Sequence, residues 1–286
     1  MTKSFQDMQL HEEALGGLSA GVVGTVIGFP LDLIKTRLQT GSSKLGIVGT
    51  ASHVVRTEGL FALYKGIGPP LLSLSILNTV SFTSYSYFRD LYGGSKGWDY
   101  RNALAAMSGA PMFGFVSTVE NLVKTQMQID NVGEKRFKGS WQCVKVLAKE
   151  HGMLILYTGH GVNTIREGAF MGSYFYVYEG LREILFTTPH ISAAVAVPFA
   201  GGMAGAFAWF FSFPLDCMRA GVQGQQLSGR RVGVMHVFQT LLQTKGLRGL
   251  YSGVSPSIVR AFLVSGSRFT AYEGVLWIIR GGRDNK

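Results

Sequence analysis

The sequence predicts an all-α membrane protein with six transmembrane helices in three tandem pseudosymmetric repeats, each carrying a short amphipathic helix. The composition is the first observation. Hydrophobic residues make up 47% of the chain and charged residues only 15%, and several apolar segments approach the length of about 20 residues that spans a bilayer. The clearest of these, 193–214, contains no charged residue. The apolar segments are the second observation. The third is a set of sequence markers that recurs three times at a nearly constant interval.

Two glycine series give the repeat interval. Gly46 is followed by Gly139 after 93 residues and by Gly233 after a further 94. A second series keeps the same intervals and consists of Gly66, Gly159 and Gly253. Two series in one register indicate internal repetition, because unrelated segments do not keep a common spacing. The repeats are expected at 8–95, 98–188 and 191–281.

Each repeat contains two long apolar segments with a short amphipathic segment between them. The long segments predict helices over 12–39, 69–92, 100–128, 162–184, 193–223 and 255–280. The short segments predict helices over about 47–57, 140–149 and 234–244. Twelve lysines and arginines lie in the loops beside the short helices, whereas the two connections on the other side contain only Lys96. The positive-inside rule therefore places the short helices on the inner side of the membrane and both termini on the outer side.

A charged motif stands at the end of the first long segment of each repeat. An acid or amide precedes a base by three residues in every copy: Asp32 and Lys35, Asn121 and Lys124, Asp216 and Arg219. A glutamine follows each base by four residues, at Gln39, Gln128 and Gln223. Charged residues inside a membrane are costly and usually functional. The alternative explanation is that these side chains only snorkel to the membrane surface.

This motif and the one that follows it resemble the signature of the mitochondrial carrier family. That signature is Pro-x-acid-x-x-base, about two dozen residues, and then acid-Gly, four residues, and aromatic-base-Gly. Repeat one matches it throughout, from Pro30 through Glu58-Gly59 to Tyr64-Lys65-Gly66. The resemblance implies a transporter of the inner mitochondrial membrane rather than an enzyme, without a cofactor and functional as a monomer. It places the short helices in the matrix and both termini in the intermembrane space.

The resemblance also implies three interhelical links that close the matrix end. These are Asp32–Lys124, Asp216–Lys35 and Asn121–Arg219, with the three glutamines as braces. The third link lacks a carboxylate, and an amide holds a guanidinium more weakly than an ion pair does. Repeat two further has Val119 in place of the proline. Glu120, beside the motif, is an alternative acid that points about 100° away on a helix.

A second set of charges on the even helices implies an outer gate of two links, Arg89–Glu179 and Arg182–Glu273. The third link is missing because Ser86 and Leu276 occupy its positions. In addition, the resemblance implies that cardiolipin binds at the starts of helices, where backbone amides favour phosphate. The residues assigned to lipid are Gly46, Lys65, Gly66, Gly139, Gly159, Gly233 and Gly253.

The implied substrate site lies halfway along the even helices, at Ser73, Arg166, Glu167 and Arg260. An arginine can fork onto a carboxylate and a glutamate can hold an ammonium group, so Arg166-Glu167 suits a zwitterion. This pattern resembles the amino-acid and carnitine/acylcarnitine branch, for which exchange is the usual mode. Asn78 and Arg268 are further candidates. Arg268 either attracts a longer or anionic substrate or pairs with Glu273.

Several alternatives remain open from the sequence. Arg166-Glu167 suits either a substrate or an ion pair that only ties helices together. A carrier for a nucleotide or a carboxylate is one rival function, and a carrier-fold adaptor that no longer transports is another. The net charge of +10 is spread over loops, which favours a membrane surface over nucleic acid. Cys143, Cys217 and the six histidines show no metal-binding spacing.

Overall fold

The computed structural model describes residues 2–40, 45–130, 136–188, 193–225 and 232–284, except for the side chains of 2–14, 193–194, 245, 273, 276 and 279–284. Within these ranges every regular element is helical. The long helices are α1 (Thr2–Gln39), α3 (Gly68–Tyr92), α4 (Tyr100–Ser108) with α5 (Ala110–Ile129), α7 (His160–Thr187), α8 (Ala193–Gln223) and α10 (Val254–Asp284). The short helices are α2 (Ile47–Glu58), α6 (Ser140–His151) and α9 (Val234–Lys245). The all-α, three-repeat architecture is confirmed.

The third long segment, expected as one helix over 100–128, consists of two helices. α4 ends at Ser108 and α5 begins at Ala110. Pro111 lies in the first turn of α5 and has no amide hydrogen to donate to the preceding turn. Phe113 donates its backbone N–H to Gly109, which starts the new helix. Elsewhere, Pro30 and Pro214 lie inside the continuous helices α1 and α8.

Each short helix is delimited by glycines in the same way. Gly46, Gly139 and Gly233 precede α2, α6 and α9 with extended backbone. At the other end Gly59, Gly152 and Gly246 have positive φ values of 86°, 79° and 62°, which a residue without Cβ adopts at little cost. A 3-10 turn and a further glycine then lead into the next long helix. We call the end of the bundle with these three helices the motif end.

The glycines before the even helices pack against the long helix that carries the next charged motif. A Cβ on Gly253 would lie 3.2 Å from the carbonyl oxygen of Lys35. One on Gly66 would lie 3.4 Å from that of Lys124. One on Gly159 would lie 3.3 Å from Val222, beside Gln223. The repeated turn therefore positions the charged motif of the neighbouring helix.

The membrane-facing and buried surfaces are both apolar. Phe207, Phe210 and Phe211 on α8 expose about half of their surface, as expected for side chains that face lipid. Three stretches of the described residues are long and apolar enough to cross a membrane: Leu15–Gln39, Leu60–Tyr92 and Val195–Gln223.

A compact core near α6 surrounds Cys143, and burial raises the pKa of its thiol to about 12. This thiol therefore stays protonated at neutral pH.

Gly253→Ala should destabilise the protein, because Gly253 has a φ of 88° and its missing Cβ leaves room for the Lys35 carbonyl. The left-handed backbone alone costs a non-glycine residue about 1–2 kcal/mol. Gly17→Ala is the matched control, since Gly17 is helical and a Cβ there would have no neighbour within 4 Å. Gly253→Ala should lower the thermal unfolding midpoint, whereas Gly17→Ala should raise it. Equal shifts would contradict the proposed close approach.

Candidate functional site: a charged cavity between the helices

A cavity of about 500 Å³ lies at the centre of the bundle. All six long segments contribute to its wall, through residues such as Thr25, Pro70, Phe113, Arg166, Gly201 and Arg260. Its volume falls in the range of sites for small molecules. Its basic side chains are Lys35, Lys124, Arg166, Arg219, Arg260 and Arg268, and its acidic ones are Asp32, Glu120 and Glu167. The described lining therefore carries an excess of positive charge.

Asp216, fully buried at the motif end, holds the largest cluster of these charges. Its Oδ2 lies 2.6 Å from Lys35 Nζ, which is a contact expected from the sequence. Gln39 braces the pair by donating to the same oxygen at 2.7 Å. Arg219, one turn along the same helix, lies 3.1 Å from Oδ1. Arg166 reaches the same Oδ1 from α7, with its Nε 3.2 Å away.

Asp32 holds a second cluster across the bundle. Lys124 Nζ lies 2.6 Å from its Oδ2, and this contact too is the one expected from the sequence. Arg260 of α10 reaches the other oxygen, with its Nε 2.6 Å from Oδ1. As in the Arg166–Asp216 pair, the Nε group lies close to the carboxylate without forming a hydrogen bond. Two of the three predicted substrate arginines, Arg166 and Arg260, therefore also contact the two predicted gate aspartates.

The expected link Asn121–Arg219 is wrong for this structure. Asn121 donates to Asn163 of α7 at 3.2 Å. Arg219 instead contacts Asp216 and donates to Gln223 at 2.9 Å. The physical reason is that a guanidinium gains more from a charged acceptor than from a neutral amide. Asn163, which also donates to Ser117 at 2.9 Å, is a polar helix contact that the sequence did not reveal.

The three glutamines do not act alike. Gln39 braces an ion pair across two helices, whereas Gln223 accepts from Arg219 on its own helix. Gln128 is fully buried, and its side-chain nitrogen and oxygen have no hydrogen-bond partner. The expectation that Gln128 braces a link is therefore not met among the described residues, although the base four residues before it, Lys124, is paired with Asp32.

Ser73 was expected to contact substrate, but it is not part of the cavity wall. Its hydroxyl is instead bound to the carboxylate of Glu120, which does line the cavity. This contact completes a threefold pattern. Ser73, Arg166 and Arg260 are equivalent residues of the even helices, and each contacts an acid on the following odd helix: Glu120, Asp216 and Asp32. Glu120 thus occupies the place that Asn121 leaves without a charge.

Aromatic rings cover the cations on one side of the cavity. Lys35 Nζ lies 3.7 Å from the ring centre of Trp209. The guanidinium of Arg166 lies 4.8 Å from Trp209 and 4.9 Å from Phe170. Such contacts stabilise a desolvated cation by about 2 kcal/mol. Tyr174 and Tyr178 continue the aromatic wall away from the motif end, and single sequence positions gave no indication of it.

The remaining predicted substrate residues line the cavity at other heights. Glu167 lies 2.8 Å from Arg166, and both side chains are buried. Asn78 and Arg268 lie on the wall further from the motif end. Arg268 packs over Gly24 of α1, where a Cβ would lie 2.6 Å from its Cγ. Five of the six predicted substrate residues thus surround one cavity.

At the opposite end of the bundle the expected link Arg89–Glu179 is absent. Glu179 lies 3.8 Å from Arg182 on its own helix, and Arg89 lies over the ring of Tyr85 at 5.9 Å. The even helices therefore share no ion pair among the side chains described at this end. The link Arg182–Glu273 falls outside the described residues, because the Glu273 side chain is not among them.

The residues assigned to lipid lie in the turns and helix starts at the motif end. Gly46, Gly139 and Gly233 start the short helices, and Gly159 caps α7 in the left-handed conformation. Gly66 and Gly253 stand just before α3 and α10. Lys65 is engaged within the protein, since its Nζ lies 3.0 Å from Asp130. A lipid phosphate at Lys65 would have to compete with this carboxylate.

A six-helix bundle of three repeats around a charged central cavity defines a membrane transporter of small solutes. The family model "Mitochondrial carrier protein" matches residues 6–96, 99–189 and 192–281. The chain therefore belongs to the mitochondrial carrier family, whose members are transporters and not enzymes. This family membership confirms the resemblance drawn from the sequence motifs.

Individual relatives cover almost the whole chain. Solute carrier family 25 member 47-B from Danio rerio is 30% identical over 282 residues, covering 93% of this chain and 98% of the relative. Carrier protein YMC2, mitochondrial, from Saccharomyces cerevisiae is 28% identical, with coverages of 93% and 88%. The Mitochondrial basic amino acids transporter from Rattus norvegicus is 27% identical, with coverages of 94% and 90%. At such identities the relatives establish the family and leave the substrate open.

Asp216→Asn should destabilise the protein more than Asp32→Asn. Asp216 is the shared partner of three cations, Lys35, Arg166 and Arg219, whereas Asp32 serves two. Removing one side of a buried ion pair costs about 3–5 kcal/mol, because the remaining charge is uncompensated. Thermal unfolding of the purified variants measures the effect. Gln39→Ala is the neutral control and should lower the midpoint less. The reverse order of the two aspartate variants would contradict the assignment.

Proposed function

We propose that this chain exchanges small zwitterionic metabolites, either amino acids or carnitine and its acyl esters, across the inner mitochondrial membrane. The observation that carries the proposal is the Arg166–Glu167 pair on the cavity wall, with 2.8 Å between the charged groups. A guanidinium can fork onto a substrate carboxylate, and the adjacent glutamate can hold the ammonium group. Substrate thus replaces one ion pair by two complementary ones.

Two further observations support this substrate class. The aromatic wall of Trp209, Phe170 and Tyr174 presents ring faces to the cavity, and such faces attract substituted ammonium groups. The relative from Rattus norvegicus is named as a transporter of basic amino acids. Its name supports the amino-acid alternative for this chain.

The arginines connect substrate binding to opening of the motif end. Arg166 and Arg260 approach Asp216 and Asp32 without forming hydrogen bonds through Nε. A substrate carboxylate that accepts from both guanidinium groups therefore gains hydrogen bonds that the aspartates do not provide. Once their arginines turn to the substrate, the aspartates are held less firmly, and the motif end can open. Differential binding of this kind shifts the population between two states.

The charge links indicate which state the structure represents. At the motif end the pairs Lys35–Asp216 and Lys124–Asp32 are formed, while Arg89–Glu179 is absent at the opposite end. We assign the motif end to the matrix and the structure to the state that is open to the intermembrane space. The transport cycle then forms the Arg89–Glu179 link while it breaks the matrix pairs. Function as a monomer and binding of cardiolipin at the repeated glycines belong to the same proposal.

A second candidate is a carrier for anionic substrates such as a carboxylate or a nucleotide. The excess of basic side chains on the cavity wall favours it, above all Arg268, which has no ion pair with a described side chain. The two candidates differ in what the substrate offers to Glu167. Only a zwitterion compensates its charge when Arg166 turns away.

The purified chain in proteoliposomes should take up labelled L-lysine or L-carnitine in exchange for the same compound inside. Arg166→Ala and Glu167→Ala should each lower uptake at least about tenfold, because each leaves one end of the zwitterion and one protein charge without a partner. Glu150→Gln is the control, since Glu150 is half exposed on α6. Uptake of dicarboxylates or nucleotides alone would favour the second candidate. Absence of any uptake, with folded protein, would favour the adaptor alternative.

Arg89→Gln should slow exchange and leave thermal stability nearly unchanged. Arg89 forms no ion pair with a described side chain in this state, and its buried Nε has no hydrogen-bond partner among the described residues, so the variant loses little here. The variant does lose the link to Glu179, which forms in the state of the transport cycle that is closed to the intermembrane space. The measurement combines exchange rate with the unfolding midpoint, and Glu179→Gln should behave alike. A large loss of stability with normal exchange would contradict the outer-gate assignment.

A further inference from the structure

We infer that Glu120, together with Ser73, forms a cation-binding subsite at the motif end of the cavity, and that this subsite takes a second ammonium group of a basic substrate, distinct from the one assigned to Glu167. The inference rests on the proposed function and makes it more specific. It assigns a specificity-determining role to a carboxylate that lies outside both the gate motif and the Arg166–Glu167 pair.

Glu120 differs from the other carboxylates in and beside the cavity because it has no ion pair with a described side chain. Asp32 and Glu167 each lie within 3 Å of a basic group, as does Asp216 at the motif end. Glu120 also lines the cavity, yet it forms no ion pair with any base whose side chain is described. A carboxylate on a desolvated wall without a counter-ion favours binding of an external cation.

Ser73 fixes the position of this carboxylate. Its hydroxyl has one proton and three competing acceptors, Glu120 Oε2 and the carbonyl oxygens of Pro69 at 2.9 Å and Pro70 at 3.4 Å. The carboxylate is the stronger acceptor because it is charged. The bond occupies Oε2, while Oε1 accepts no hydrogen bond from the described residues. Ser73 is therefore a positioning residue, and Oε1 is the atom available to a cation.

Arg268 gives the same cavity a cationic, anion-binding position further from the motif end. Arg268 lies eight residues beyond Arg260 on α10, or about 12 Å along the helix, and it lines the same cavity. Glu120 lies at the level of Ser73, which is the repeat-one equivalent of Arg260. Glu120 and Arg268, which carry opposite charges and have no ion pair with a described side chain, thus lie at different heights of one cavity. This arrangement suits an extended zwitterion whose cation lies toward the motif end.

The test uses two probes of equal chain length that differ in one group, 6-aminohexanoate and hexanoate. Thermal unfolding of the purified full chain reports their binding, since a ligand of the folded state raises the midpoint. The wild type should bind 6-aminohexanoate at least about tenfold more tightly than hexanoate. Glu120→Gln should abolish this difference while the response to hexanoate remains. Glu120→Asp should restore part of it, and Glu150→Gln, the surface control, should retain it.

The outcomes separate the subsite from the proposed function. If the wild type responds equally to both probes, or Glu120→Gln keeps the full difference, the cation subsite is refuted and the Arg166–Glu167 site stands. If neither probe shifts the wild type, both proposals fall. Uptake that depends on a pH gradient in the wild type and loses this dependence in Glu120→Gln would make Glu120 a proton carrier and overturn the subsite. Ser73→Ala should weaken 6-aminohexanoate binding alone.

Discussion

A charge that is buried away from water must keep a partner, and this constraint governs the centre of the protein. Asp216 and Asp32 are buried and contact three and two cations, respectively. Neither aspartate can lose all of its partners without a large cost in free energy. Any movement of the helices must therefore exchange partners rather than break them. In the proposed mechanism, substrate supplies the replacement charges when the old contacts are lost.

The three repeats share a backbone plan and differ in their charges. The short helices, the glycine turns and the even-to-odd contacts follow threefold symmetry. Repeat two departs from it, with Asn121 in place of an acid and a glutamine, Gln128, left without a hydrogen-bond partner. Glu120 compensates one helix position away. This difference in charge between the repeats lies on one side of the cavity, where it can distinguish the two ends of a chemically asymmetric ligand.

The sequence predicted much of this arrangement because repetition supplies information that one copy lacks. Three equivalent motifs indicated the repeated fold, and the resemblance to the carrier family implied the contacts Lys124–Asp32 and Lys35–Asp216 and the depth of the binding residues. What it missed depends on the reach of side chains. The contacts of Arg166 and Arg260 with the aspartates cross from one helix to the next at a distance that spacing does not encode. Asn121–Arg219 was wrong because Arg219 contacts the charged Asp216 on its own helix instead of the neutral amide of Asn121.

In the proposed mechanism, the arginines that recognise the ligand are also partners of the gate aspartates, and this has an evolutionary consequence. A substitution at Arg166 or Arg260 that suits a new ligand also removes a partner from Asp216 or Asp32. The effect of such a substitution on specificity then depends on the gate residues. Compensating substitutions at the gate should therefore accompany a change of specificity. Glu120 and Ser73 contact neither aspartate. Their positions are free to vary first, which makes repeat two the natural place for new specificities to arise.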